Sequence, residues 1–185
     1  MNLRKSLVLR TCAWITLISV SGLATVACAA SEQDTTTNSS FGTIHFNNDK
    51  GEEKCSLAIP ETNNWFNFSH DNQYCENNMV STFWLENVPS ATLINFYEND
   101  ACSDAKVSNT FFFKFKTVKQ PTDWAPHGGM LLSIDALRNL RPGELIAGKN
   151  LRVEADGAFV GPDLAAKNLN ERLSCVYIER SQPAN

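Results

Sequence analysis

The sequence predicts an all-β fold, a disulfide-stapled Greek-key β-sandwich with one or two short helices in an insertion. Short runs of β-branched and aromatic residues recur between positions 41 and 180, each bounded by Asn, Asp, Gly or Pro. Four cysteines lie among these runs, and helical patterns are short and weak. Many short strands at this spacing are typical of a sandwich, and no linker divides the chain into two domains.

The strand predictions define a single domain over residues 41–180. In chain order the predicted strands are 42–46, 55–59, 65–68, 80–85, 92–97, 110–118, 145–147, 150–155 and 173–178. The segment 110–118 is the strongest, because aromatic residues alternate with lysines in its second half. Short helices are predicted at 133–140 and at 162–167, the second with a proline at its first helical position.

Residues 1–29 are predicted to be an export signal peptide. Three basic residues open the chain, an apolar run covers 7–26, and small residues follow. Arg10 and several hydroxyl residues interrupt this run, and no second apolar stretch of spanning length follows it, which argues against a membrane span. Residues 30–40 form a polar, disordered lead-in, and 181–185 form a tail.

The end of the signal region leaves two interpretations open. Ordinary cleavage near Ala29 or Ala30 makes the protein secreted or periplasmic. The alternative is a lipoprotein of the bacterial envelope, because residues 25–28 resemble a lipobox that ends in Cys28, with Thr25 where leucine is usual. Cys28 is then the site of a lipid anchor.

The charge of the chain excludes two classes of partner. Without the three basic residues of the signal region, 13 of the 16 basic residues remain beside 20 acidic residues, a formal charge of −7. A nucleic-acid binder needs a basic face to neutralise phosphate, so no nucleic-acid partner is expected. A polybasic membrane-surface protein is excluded on the same ground.

Four cysteines, Cys55, Cys75, Cys102 and Cys175, lie beyond the signal region. An even number in an exported chain predicts two disulfides, and three connectivities are possible. We favour Cys55–Cys75 and Cys102–Cys175, because strand-rich segments bracket each pair. A zinc site is the alternative, but the chain has no C-x-x-C and no histidine pair at ligand spacing.

One hexamer, Asn77-Asn78-Met79-Val80-Ser81-Thr82, supplies oxygen ligands of the kind that calcium prefers. A strand, a short turn and the segment INFYE of residues 94–98 follow it. The combination resembles the βγ-crystallin superfamily, whose calcium signature is Asx-Asx-x-x-Ser/Thr-Ser followed by strands. Thr82 stands where serine is usual, and the glycine usual after the aromatic corner is absent.

A second hexamer echoes the first near the end of the chain. It is Asn170-Glu171-Arg172-Leu173-Ser174-Cys175, which keeps the Asx, the Ser and the apolar pair that follows. The resemblance implies two similar Greek keys packed as a pseudo-symmetric sandwich. The hexamers lie 93 residues apart (170 − 77), about twice what a compact pair shows, so residues 121–140 are expected to be an insertion.

Calcium is the one cofactor that the resemblance implies, and its expected ligands are Asn77, Asn78, Ser81, Asn170, Glu171 and Ser174. With few carboxylates, such a site is expected to be weak, with a Kd of about 10⁻⁴ to 10⁻³ M. The other interpretation is an ordinary turn, because Asn tolerates left-handed backbone and bonds to its own main chain.

Two further groups of residues carry alternatives. His127, beside a Gly-Gly pair and near Asp123, is a candidate general base of a small secreted hydrolase, although a lone loop histidine is usually solvated. Trp65 and Trp84 suit carbohydrate stacking, although such residues more often fill a sandwich core, which we expect for both.

The function favoured by these observations is that of an exported, non-enzymatic binding or structural module. It is expected to engage a protein partner in the envelope or outside the cell and to bind calcium. A periplasmic inhibitor or immunity-type protein is the first alternative, and the hydrolase is the second. Fold similarity by itself does not establish function.

Overall fold

The computed structural model describes residues 41–70, 74–124 and 131–181, all within one compact unit that covers residues 38–185. The predicted signal peptide with Cys28, all of the lead-in, most of the tail and His127 lie outside these ranges. Within them, no helix is long and apolar enough to cross a membrane.

The described residues form ten strands. They are β1 (Thr43–Asn47), β2 (Glu53–Ala58), β3 (Asn63–Asn67), β4 (Thr82–Glu86), β5 (Thr92–Tyr97), β6 (Phe111–Thr117), β7 (Leu132–Ser133), β8 (Leu145–Ile146), β9 (Leu151–Val160) and β10 (Cys175–Arg180). Every predicted strand has a counterpart, and β7 is the one that the sequence did not indicate. With only two residues, β7 shows no alternation from which to recognise it.

The strands form two antiparallel sheets. The four-stranded sheet has the order β2-β1-β4-β7, and the six-stranded sheet has the order β3-β10-β5-β6-β9-β8. β3 follows β2 in the chain but lies in the other sheet, and β7 likewise leaves the sheet of β6. The order β6-β5-β10-β3 therefore repeats β2-β1-β4-β7, with β8 and β9 added at the edge.

Aromatic residues from both sheets fill the space between them. The Phe83 ring of β4 meets the Phe96 ring of β5 edge to face, with centroids 4.9 Å apart, and Phe96 also contacts Phe115 of β6. Along β6, Phe111, Phe113 and Phe115 are all buried in this core. Edge-to-face contact is one of the preferred arrangements of aromatic rings. Because successive side chains of a strand point to opposite faces, alternate residues of each strand reach this apolar interior.

The predicted cysteine pairing is confirmed. Cys55 of β2 bonds to Cys75, and Cys102, in the loop after β5, bonds to Cys175 at the start of β10; both pairs have Cα atoms 5.4 Å apart. Each bridge thus ends beside one of the two hexamers, two residues before the first and at the sixth position of the second.

The two predicted helices are short 3₁₀ segments, Asp135–Asn139 and Pro162–Leu164. The first ends at Leu140, whose backbone is extended. The N–H of Leu140 still donates to the carbonyl of Leu137, three residues back, as in a 3₁₀ turn. Neither segment is long enough for the repeated four-residue hydrogen bonds of an α-helix.

The position of the insertion also differs from the expectation. Residues 121–140 include β7, which takes part in the repeated strand order. The strands outside that order are β8 and β9, so the extra chain lies largely after residue 140. The pattern of residues 145–155 predicted strands there but carried no information on which sheet edge they join.

Candidate functional site

The two hexamers lie side by side and are joined by reciprocal hydrogen bonds. The N–H of Asn78 donates to the carbonyl of Leu173 (3.4 Å), and the N–H of Glu171 donates to the carbonyl of Val80 (2.7 Å). In each bond the second residue of one hexamer reaches the fourth residue of the other. Two segments far apart in sequence therefore form one paired site.

The two hexamers have matching backbone features at their second and sixth residues. Asn78 has a φ of 58° and Glu171 has a φ of 61°, both in the left-handed region. The sixth residues, Thr82 and Cys175, begin β4 and β10. Asn adopts the left-handed region readily, whereas Glu pays a steric penalty of about 1 kcal/mol there.

The two serines are held by equivalent backbone bonds. The N–H of Ser81 donates to the carbonyl of Asn47 at the end of β1, and that of Ser174 donates to the carbonyl of Tyr97 at the end of β5. The carbonyl of Ser81 accepts from Ile134 and that of Ser174 accepts from Phe68, each at 2.9 Å. Both serines are also buried.

The side-chain oxygens of the two hexamers differ. Ser81 is 1% exposed, and within the described residues neither its Oγ nor the buried Oδ1 of Asn77 has a hydrogen-bond partner. The Oδ1 of Asn170, by contrast, accepts from Ser133 Oγ (3.0 Å) and from the N–H of Asp135 (2.9 Å). The first hexamer has unmatched oxygens, while the first residue of the second is occupied in holding the backbone.

A cleft of about 460 Å³ opens where the hexamers meet, and we call it the hexamer cleft. Its lining consists of polar residues from both hexamers and their neighbours: Asn78, Glu98, Asn168, Asn170, Glu171 and Arg172. Two carboxylates and several amide oxygens suit a hard cation. The guanidinium of Arg172 opposes this, since it brings a positive charge to the same cleft.

Sequence reasoning did not include three cleft residues among the ligands, Glu98, Asn168 and Arg172, and of these Glu98 supplies a carboxylate. It follows the last residue of β5, and burial raises the pKa of its carboxyl, with Arg172 acting in the opposite direction. The corresponding residue after β1 is Asn48, whose Oδ1 accepts from the N–H groups of Lys50 and Glu52. Glu98 can be identified by its position directly after β5, which corresponds to the position of Asn48 after β1. This correspondence is recognised only once the strand order of the two sheets is known.

The described residues contain no group of three or more His, Cys, Asp and Glu side chains close enough to hold a metal ion. Of the six predicted ligands only Glu171 has one of these side chains. A calcium site built on amide, hydroxyl and main-chain oxygens does not require such a group.

Other candidate residues lie elsewhere. Of the pair suggested for a hydrolase, the structure describes only Asp123, which is exposed. The expectation that Trp65 and Trp84 fill the core is wrong. Trp84 is half-buried on the outer face of the four-stranded sheet, where it stacks on His45 with centroids 3.8 Å apart. Trp65 is 50% exposed on the edge strand β3, because its position in β3 points away from the core side occupied by Phe66.

Comparison of the chain with known protein families, with curated proteins and with solved structures finds no match.

Proposed function

We propose that the protein is an exported, non-enzymatic binding module of the βγ-crystallin type that binds calcium between its two hexamers. We further propose that it serves as a structural element which engages a protein partner in the envelope or outside the cell. The observation that carries the calcium proposal is the reciprocal pairing of the hexamers beside three buried, unmatched oxygens of the first hexamer, Asn77 Oδ1, Ser81 Oγ and Thr82 Oγ1.

The strand order supports the Greek-key part of the proposal. Four strands, β1 to β4, are followed by a second set, β5, β6, β7 and β10, and each set sends its third strand to the other's sheet. Such an exchange makes the two halves depend on each other, so neither half is expected to fold alone. The pseudo-symmetric pairing implied by the resemblance has this form.

The donor set supports calcium over a transition metal. The available groups are hydroxyl, amide, carboxylate and main-chain oxygens, and hard cations prefer oxygen. Ser81 Oγ and Asn77 Oδ1 are the donors that a bound cation is expected to satisfy, since an unmatched buried polar atom costs about 1–3 kcal/mol. With Glu98 and Glu171 as the carboxylates, affinity is expected to be weak, with a Kd of about 10⁻⁴ to 10⁻³ M.

Export is supported by the two disulfides, which form and persist in oxidising compartments. The predicted signal peptide and the alternative lipid anchor at Cys28 both lead to such a compartment. The proposal of a protein partner rests on the acidic character of the chain.

Thermal unfolding in chelator and in millimolar calcium tests the calcium proposal. A ligand that binds only the folded state adds RT ln(1 + [L]/Kd), about 1 kcal/mol at a few times Kd. The melting temperature of the oxidised protein is expected to rise in calcium. Ser81→Ala is expected to lose this rise, because it removes one of the three unmatched oxygens.

Ser56→Ala is the matched control, because Ser56 is an exposed serine on β2, away from the hexamers. It is expected to keep the full calcium shift. Equal melting curves in chelator and calcium, or an equal shift in Ser81→Ala and Ser56→Ala, would remove the site and leave the first hexamer as an ordinary turn.

A further inference from the structure

The outer face of the six-stranded sheet carries an ordered set of aromatic and polar side chains at its β3 edge. In the strand register, Tyr177 of β10 stands between Trp65 of β3 and Asn95 of β5, and Glu179 stands beside Asn63. We call these five residues the edge platform. The alternation of each strand places all five on the side away from the core.

Trp65 is the exposed aromatic ring of the edge platform. Its ring centroid lies 4.2 Å from that of Tyr177 and 6.1 Å from that of Tyr97, with interplanar angles of 39° and 36°. Half of the Trp65 surface remains exposed. A large ring supported by two tyrosines, with half of its surface open, is a preformed surface for a ligand with a flat apolar face.

Hydrogen bonds hold the polar members of the edge platform in place. Asn63 Nδ2 donates to the Tyr177 hydroxyl (3.2 Å), and that hydroxyl donates to Glu179 Oε2 (2.9 Å). Asn95 Nδ2 donates to the Tyr97 hydroxyl (3.1 Å), and Asn95 Oδ1 is buried with no partner in the described ranges. Asn95 is 5% exposed and lies opposite Tyr177 on the neighbouring strand. A buried acceptor without a described partner therefore lies beside Tyr177.

The neighbouring row of the same face is closed. Tyr97 and Phe112 are almost fully buried, with Cys102 packed against them, and Cys102 is tied to Cys175. Lys114, the next residue across from Asn95, is paired with Asp104 at 2.7 Å. The exposed aromatic ring of this face, Trp65, therefore lies at its β3 edge.

We propose that the edge platform binds a neutral carbohydrate, with a pyranose ring stacked on Trp65. The C–H face of a sugar is weakly positive and packs on the negative face of an aromatic ring, while amide and carboxylate groups at its rim bond the hydroxyls. The one charge among the five residues is the Glu179 carboxylate, which repels uronic and sulfated sugars. A stable protein interface needs about 800 Å² on each partner, far more than one exposed ring among polar groups offers.

Affinity electrophoresis in native gels tests the proposal. The probes are four soluble neutral polysaccharides, namely hydroxyethyl cellulose, xyloglucan, galactomannan and starch, with alginate as the acidic counterpart. At least one neutral polymer is expected to retard the oxidised protein, and alginate is not. Quenching or enhancement of tryptophan fluorescence by an oligosaccharide of the retarding polymer then measures affinity.

Trp65→Ala is expected to weaken binding by about tenfold or more, since it removes the stacking surface. Leu145→Ala is the matched control, because Leu145 is an exposed apolar residue on β8, at the opposite edge of the same sheet. Tyr177→Phe keeps the ring, removes the hydroxyl that links Asn63 to Glu179, and is expected to give a smaller loss. All three variants are compared with the parent by thermal melting.

Retardation by a neutral polymer that Trp65→Ala abolishes and Leu145→Ala preserves supports the proposal. Failure of every neutral polymer to retard the parent protein overturns it, as does retardation by alginate alone or binding that survives Trp65→Ala. The gels are run in chelator as well as in calcium, because the edge platform shares no residue with the hexamers. The outcome is therefore separable from that of the calcium experiment.

Discussion

The first hexamer (residues 77–82) and the second (residues 170–175) share several backbone features and differ in side-chain chemistry. Both have a left-handed second residue, a buried serine and a strand at the sixth position. The first has three unmatched buried oxygens, whereas Asn170 in the second is bonded to Ser133 and Asp135. Backbone bonds tolerate most side chains, so a shared loop shape does not ensure a shared ligand chemistry.

The largest effect is expected from the disulfide beside each hexamer. Cys102→Ala with Cys175→Ala opens a loop of 73 residues, and Cys55→Ala with Cys75→Ala opens one of 20. The chain-entropy model gives losses of about 4 and about 3 kcal/mol. Urea unfolding of the two double variants measures both. A larger loss for the shorter loop would contradict this order.

Asn170 and Asn77 are expected to differ in their structural importance. Asn170→Ala leaves the N–H of Asp135 without its acceptor and should cost about 1–3 kcal/mol of unfolding free energy. Asn77→Ala removes an oxygen that has no partner, so in chelator its cost should be within about 0.5 kcal/mol.

Denaturant midpoints of both asparagine variants in chelator measure this difference, and the same variants in calcium extend it. Asn77→Ala is expected to reduce the calcium shift although it leaves basal stability nearly unchanged. Equal losses of basal stability in the two variants would show that the hexamers are structurally equivalent after all.

Replacing the left-handed residue by glycine is expected to stabilise the second hexamer more than the first. Glu171→Gly is expected to raise the unfolding free energy by up to about 1 kcal/mol, because glycine adopts positive φ without the steric penalty of Glu. Asn78→Gly should change it less, since asparagine already tolerates this region. Thermal melts in chelator compare the two, and a loss of stability in Glu171→Gly would contradict the expectation.

The smallest expected effect is a pH dependence of the unfolding free energy, which comes from Glu98 and has no counterpart at Asn48. Burial raises the pKa of Glu98, which lies in the hexamer cleft, whereas the corresponding residue Asn48 does not titrate. The folded state therefore holds this proton more tightly than the unfolded chain. In chelator, stability should fall as pH rises from the ordinary glutamate pKa through the raised folded value.

Glu98→Gln is expected to remove this part of the pH dependence, and urea midpoints across the acidic range measure it. Glu76→Gln is the control, because Glu76 is an exposed carboxyl beside the first hexamer. The same slope in the parent and in Glu98→Gln would show that the cleft carboxyl does not contribute.

Much of this arrangement was predictable from local patterns. Alternation located the long strands, and the even number of cysteines indicated two disulfides, whose favoured pairing is confirmed. The spacing of Asx, Ser and apolar residues related 170–175 to 77–82. Trp65 was not predictable, since an aromatic residue in an alternating strand faces the core or solvent according to which side the other sheet covers.

The sequence by itself determined the strands and the two hexamers, because each of these depends on residues close together in the chain, and its even number of cysteines indicated two disulfides. Only the tertiary structure decided that β3 and β7 exchange sheets, that Asn78 pairs with Leu173, and that Glu98 joins the hexamer cleft. These features depend on which distant segments pack together, and many sequences with the same local alternation permit several such packings.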